Sequence, residues 1–249
     1  MKVVIGGATG YLGTEVVRQA LRHPLITSVV ALARRETQVP KDVDPQIAQS
    51  KFRSLTCSDF KDYPQNVRSA ISDADACIWL IAITPTRSQA YSWEQVKKVC
   101  LEYAISAADT CAKLPRDGKH TPLRFLYVSG FNATQDPSKK PWLFGDYSVM
   151  RPVKGQVEKN VLERAQMSNG RMQACVARPG LIDPMNVSVM RQAFQGFANA
   201  LISMPRIPIA TMAAALLDQI LHGFDKEVLS NEDLNEIGQN ALKKSSSAN

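Results

Sequence analysis

The chain has 249 residues, 45% of them apolar and 21% charged, and a formal charge of +7 from 30 Lys and Arg against 23 Asp and Glu. This length suits one sizeable core better than two, and no apolar run reaches the roughly 18 residues of a membrane-spanning helix. The basic residues are scattered, aromatics make up only 7%, and no recognition motif accompanies them, so neither nucleic acid nor a membrane is an expected partner.

Strand-like sequence begins at Lys2, which leaves no room for a secretory signal, so a cytoplasmic location is expected. Cys57, Cys77, Cys100, Cys111 and Cys175 have neither metal nor redox spacing and read as buried free thiols. His23, His120 and His222 stand apart from any carboxylate cluster, which gives no metal site and no Ser-His-Asp constellation.

Residues 2–13 read KVVIGGATGYLG. Val3, Val4 and Ile5 suit a buried strand, and Gly7, Gly10 and Gly13 give the spacing G-x-x-G-x-x-G. The first glycine permits a tight turn, the second lets backbone approach a pyrophosphate, and the third lets helix pack on strand. An amphipathic helix, Leu12–Leu21, follows, and its unpaired N–H groups and positive dipole end would face the phosphates. Gly7, Thr9, Gly10, Tyr11, Leu12 and Gly13 are therefore the expected phosphate-side contacts of a dinucleotide. No G-K-[ST] follows the turn, which excludes a P-loop.

Ser28–Ala33 reads as the second strand, ending at Arg34-Arg35-Glu36. Arginine at this position offers a fork to a ribose 2′-phosphate, whereas an acidic residue accepts from the free 2′-OH. Arg34 and Arg35 favour NADP(H), Arg34 the more so; Glu36, one residue further on, would favour NAD(H) if it reached the ribose. Lys51–Thr56 is a weaker third strand. Asp59, beyond it, is either an acceptor for the adenine amino group or a plain loop aspartate. Pro64–Ile71 reads as a short helix, Ala76–Ile81 as the fourth strand, and Ser92–Leu114 as a long helix stopped by Pro115. Leu123–Ser129 is the fifth strand, followed by a Pro- and Lys-rich loop to about Asp146. Helix Val149–Met167 and strand Met172–Arg178 complete an alternation that implies right-handed crossovers and a parallel, doubly wound sheet.

Beyond Pro179 the pattern predicts a helix over Val187–Ser203, an extended piece at Arg206–Ile209 and an apolar helix over Thr211–His222. A last helix, Glu232–Lys243, is capped by Ser230 or Asn231, with Asp233 completing a capping box on Ser230. One domain over residues 1–244 is expected, with 245–249 as a disordered tail.

Taken in order, GGATGYLG, ALARR, Asp59, LYVSG, KGQVE (Lys154–Glu158) and RPG (Arg178–Gly180) resemble the short-chain dehydrogenase/reductase superfamily, in its atypical or extended branch, over most of residues 2–220. The resemblance implies a single-domain α/β, Rossmann-like doubly wound sheet with a short C-terminal substrate-capping portion. It implies that Ser129 polarises a substrate carbonyl and that Lys154 holds the nicotinamide ribose. Ile83 and Thr84 would flank that ribose, and Pro179 and Leu181 would lie beside the nicotinamide. It also calls for a tyrosine four residues before the lysine, where a nearby cation lowers a phenol pKa that is otherwise about 10.

That position holds Met150. None of the six tyrosines has a lysine four residues on, although Tyr147 has Arg151 there. Tyr147 precedes Lys154 by seven residues, ~10 Å along a helix and too far for contact. With Pro152 placed in the first turn the helix would start near Ser148, leaving Tyr147 in the preceding loop as a substitute proton donor. The family's asparagine on the long middle helix falls within Glu94–Lys98, which carries lysine instead.

The function expected is an NADP(H)-dependent oxidoreductase acting on a carbonyl, enone or quinone-like hydrophobic small molecule, with Ser129, Tyr147 and Lys154 as its catalytic residues. Trp142, Phe144, Phe194 and Phe197 are candidate pocket residues. A non-enzymatic NADP(H)-binding sensor and a redox-neutral isomerase or cyclase are the alternatives. By resemblance, the two long helices also offer a homodimer interface.

Overall fold

Val3, Val4 and Ile5 are 0, 3 and 0% exposed in strand β1 (Lys2–Gly6), so both faces of this strand are covered, as a parallel sheet requires. The computed structural model describes residues 1–116, 118–119, 121–134, 147–183 and 204–247, with the side chains of residues 85–86, 147–150 and 246–247 outside that description. The other strands of the main sheet are β2 (Ser28–Ala33), β3 (Phe52–Thr56), β4 (Ala76–Trp79), β5 (Leu123–Val128), β6 (Met172–Ala177) and β9 (Val228–Leu229). All pair in parallel, in the order β3-β2-β1-β4-β5-β6-β9. Strand order reverses between β1 and β4, and the crevice beyond their carboxyl ends is where such sheets bind ligands. Gly6 is in register with Leu32 on one side and Trp79 on the other, so three strands end level at that crevice. A short parallel pair, β7 (Leu181–Asp183) and β8 (Arg206–Pro208), stands beside the sheet.

The two-residue period of β1 sends Val3 and Ile5 into one core and Val4 into the other. The first core holds α1 (Tyr11–Arg22), part of α2 (Pro45–Lys51), α8 (Ile209–His222) and Leu234 of α9 (Asn231–Ser247). The second holds α3 (Gln65–Ile71), α5 (Trp93–Lys97), a π-helical turn (Lys98–Glu102), α6 (Tyr103–Lys113) and α7 (Tyr147–Gln166). Helix α4 (Pro85–Ser88) lies in the connection after β4. A seven-stranded parallel sheet between two helical layers is the doubly wound architecture that the chain's alternation implies.

Several boundaries differ from the sequence reading. Strand β4 stops at Trp79 rather than Ile81, because the bond from Leu80 N to Gly6 O at 2.9 Å closes its contact with β1 and the chain then turns toward α4. The long middle helix is broken by the π turn, a form frequent at functional sites. Helix α7 starts at Tyr147, so the backbone of Tyr147 is helical and not part of the preceding loop. Pro152 becomes its sixth residue, close enough to the end that the missing N–H removes one bond just past the four donors that lack partners anyway.

The reciprocal bonds of Asp233 N to Ser230 Oγ (3.1 Å) and Ser230 N to Asp233 Oδ2 (2.8 Å) form the expected capping box. The helix they open runs to Ser247, so residues 245–247 of the expected tail are helical. Helix α2 was not foreseen, although Asp44-Pro45 signals it: the Asp44 carboxylate accepts from Gln46 N at 2.7 Å, and Pro45 occupies the first turn. The predicted helix Val187–Ser203, and Trp142, Phe144, Phe194 and Phe197, lie outside the described residues. All five cysteines are buried free thiols. Among the described residues no helix is long and apolar enough to cross a membrane, and no cluster of three or more His, Cys, Asp or Glu could hold a metal.

Candidate dinucleotide site

The glycine turn is built as its spacing demands. Gly7 has φ +86°, a conformation that L side chains rarely adopt, and its N–H donates to Leu32 O at 2.8 Å. A Cβ on Gly13 would sit 2.3 Å from Gly7 O and 2.9 Å from Ala8 Cα, so α1 can pack onto the turn only through hydrogen. Gly10 is the N-cap of α1; no side chain caps the helix, and its first turn carries no acidic residue. Uncapped N–H groups, the positive dipole end and a side-chain-free cradle together fit a pyrophosphate. Leu12 is buried beneath the turn, whereas Tyr11 is 55% exposed and its hydroxyl donates to Asp183 O of β7 at 3.4 Å. Thr9 sits part-buried between these glycines.

Arg34, Arg35 and Glu36 follow β2 and are all exposed; neither arginine forms an ion pair with another described residue. Asp59, beyond β3, is held by two lysines. Lys98 Nζ donates to its Oδ2 at 2.8 Å, and Lys61 N donates to Oδ1 at 3.0 Å. The Lys98 bond, followed by the Lys61 N–H, holds this carboxyl below the usual range. Lys98, in the stretch where the family's asparagine would fall, thus pairs with Asp59.

Ile83, after β4, is buried, and Thr84 next to it is the exposed N-cap residue of α4. Cys100 fastens this loop, a contact that no local pattern signals. Its Sγ accepts from Ile83 N at 3.2 Å and approaches Ile83 O at 3.7 Å, from the π turn.

Ser129 follows β5 directly, is 5% exposed, and its Oγ has no hydrogen-bond partner among the described residues. A buried hydroxyl without a partner is costly, so it marks a place where a ligand atom would be welcome. Lys154 Nζ donates to Ser129 O at 2.9 Å and lies 3.0 Å from where a Cβ on Gly130 would stand. Burial pulls the Lys154 ammonium below the ordinary lysine value, opposed by Cys100 and Glu158. Ser129 and Lys154 are therefore brought together. Tyr147 lies seven residues earlier on the same helix, and its side chain, like that of Met150, is outside the described set. Arg151 Nε donates to Asn132 O at 2.7 Å, tying α7 to the loop after β5.

Pro179 and Leu181 lie at the carboxyl end of β6. Pro179 O accepts from Phe131 N at 2.9 Å, Gly180 N donates to Asn231 Oδ1 at 2.9 Å, and Leu181 N donates to Pro205 O at 2.8 Å. Arg178, in the same motif, forks onto Glu158: Nε meets Oε1 at 3.0 Å and Nη2 pairs closely with Oε2. Both residues sit in the KGQVE and RPG motifs, where the sequence reading gave them no task. The available signal is Arg178, a charge directly after the apolar run of β6; Glu158 stands among polar neighbours and carries none.

The fold and the glycine turn define a dinucleotide-binding Rossmann protein. The family model for NAD(P)H-binding proteins matches residues 7–220, and the chain belongs to that family. Protein FMP52, mitochondrial, of Candida albicans is 26% identical over 182 residues, covering 73% of this chain and 67% of that protein. Among solved structures, MoeE5 in complex with UDP-glucuronic acid and NAD aligns with 99% of this chain and 83% of that one, at TM-score 0.64 and 15% identity. L-threonine dehydrogenase from Clostridium difficile aligns with 92% of this chain and 75% of that one, at TM-score 0.58 and 16% identity. At these identities the structural likeness is one of fold.

Proposed function

We propose that this protein is an NADP(H)-dependent oxidoreductase acting on a carbonyl, enone or quinone-like hydrophobic small molecule. The observation that carries the reading is the pairing of a buried Ser129 hydroxyl, without a partner among the described residues, with a Lys154 ammonium bound to the carbonyl of that same serine. When bound, the nicotinamide supplies or accepts the hydride. Ser129 Oγ–H would polarise the substrate oxygen, and Lys154 would hold the nicotinamide ribose with donors not committed to Ser129 O. Arg34 and Arg35, exposed and without carboxylate partners among the described residues, fit a 2′-phosphate. Phe131, 40% exposed next to the Pro179 carbonyl, favours an apolar substrate. The proton comes from Tyr147 or from water, since Met150 occupies the position of the expected phenol.

The test is NADPH turnover with a panel of quinones and aromatic ketones, for the native protein and for Ser129→Ala. Turnover that Ser129→Ala does not slow would remove the serine from the mechanism. Met150 also favours a second reading, a sensor that binds NADP(H) without turning it over. Tight NADPH binding with no turnover across the panel would select that reading.

A further inference from the structure

Glu158 is 1% exposed, an unusual setting for a carboxylate. It stands four residues after Lys154 on α7, so the two side chains leave the same helix face one turn apart. They hold neighbouring strands. Lys154 reaches the end of β5 through Ser129 O at 2.9 Å, and Glu158 reaches the end of β6 through both oxygens on the Arg178 fork. Arg178 N in turn donates to Leu229 O at 2.9 Å, and the segment Pro179–Leu181 follows directly.

We propose that the Glu158–Arg178 pair is a positioning unit of the dinucleotide site, fixing the Lys154 ammonium and the Pro179–Leu181 segment against one another. This rests on the dinucleotide reading above. A bidentate fork sets direction as well as distance, which a single point charge does not. It makes α7 a common gauge for the two strand ends on which ribose and nicotinamide would rest. The pair also sets the field at Lys154. Cys100 from the π turn and Glu158 on its own helix act on that ammonium, while Tyr127 from β5 and Arg178 from the end of β6 face the same Glu158 carboxylate. Glu158 favours the charged lysine against the opposing effect of burial, while Arg178 shares the same carboxylate. Removing Glu158 therefore takes the negative charge from beside Lys154, whereas removing Arg178 leaves that charge unshared.

Competitive labelling of the Lys154 amine with trace acetic anhydride, across pH and in the cofactor-free protein, reads this directly. Glu158→Gln, which leaves Arg178 unneutralised, is expected to lower the labelling midpoint by about one pH unit or more. Arg178→Gln, which leaves the carboxylate unshared, is expected to raise it. Opposite shifts are not produced by mere loosening of the fold, and shifts of the same sign, or none in either variant, would overturn the proposal. Arg178→Lys separates position from charge: the midpoint stays near native, while NADPH affinity falls about tenfold for want of the fork. Native affinity in Arg178→Lys would likewise count against it. If Glu158→Gln does not fold, the two Arg178 variants decide the matter. Absence of NADPH binding by the native protein would defeat the cofactor reading, yet the labelling midpoints would still judge the charge pair.

Discussion

The Lys154 ammonium donates to the backbone carbonyl of Ser129 at 2.9 Å, while the hydroxyl of the same serine is left without a partner among the described residues. The contact spends one of the three lysine donors on the scaffold and keeps the amine beside the hydroxyl that would meet substrate. Lys154→Met should therefore weaken both cofactor binding and turnover. Ser129→Ala, which removes only the polarising group, should lower kcat/KM by roughly 10²–10³ with NADPH affinity nearly unchanged. Steady-state kinetics beside calorimetric titration separates the two effects.

Cofactor choice rests on Arg34. Loss of one charge-assisted fork is worth roughly 1.5–3 kcal/mol, so Arg34→Ala should weaken NADPH by about 10–100-fold and leave NADH little changed. Calorimetric titration with both nucleotides checks this, and tighter NADH than NADPH binding by the native protein would overturn the 2′-phosphate assignment.

Gly13 is the third residue of α1, where alanine would ordinarily gain about 1 kcal/mol of helix propensity. Here the added Cβ meets Gly7 O at 2.3 Å, and backbone cannot move aside as a flexible side chain does. Overpacking should win, leaving Gly13→Ala less stable by about 1–3 kcal/mol and unable to bind NADPH tightly. Urea unfolding and titration report the two consequences.

At the opposite end of the sheet, Asp75 accepts from Lys2 N and from Lys119 Nζ, each at 2.7 Å. Burial alone would raise its pKa, but Lys119 and the Lys2 N–H together hold it below the usual value. A depressed folded-state pKa means that its stabilisation is present above about pH 4 and is lost as pH falls through the folded value. Asp75→Asn should therefore be less stable than the native protein near pH 7, by about 1 kcal/mol after solvent screening, with the gap closing below pH 4. Thermal unfolding followed across pH measures it, and NADPH affinity should not change.

Neighbouring residues settle only local conformation. The β-branched run before Gly7, the three-residue glycine spacing and the amphipathic stretch after it fix a strand, a turn and a helix whose conformations depend on their own residues. The same holds for β2, matched residue for residue, and for the capping box at Ser230. Tertiary structure decided what lies far apart in the chain. Cys100 on Ile83, Lys98 on Asp59 and Arg178 on Glu158 join positions 17, 39 and 20 residues apart, and no periodicity encodes such pairings. The start of α7 was likewise decided by its surroundings, since tying Arg151 to Asn132 O favours a turn that Pro152 on its own opposes. Local sequence chose the turn suited to a dinucleotide, and packing chose which charges stand around Lys154.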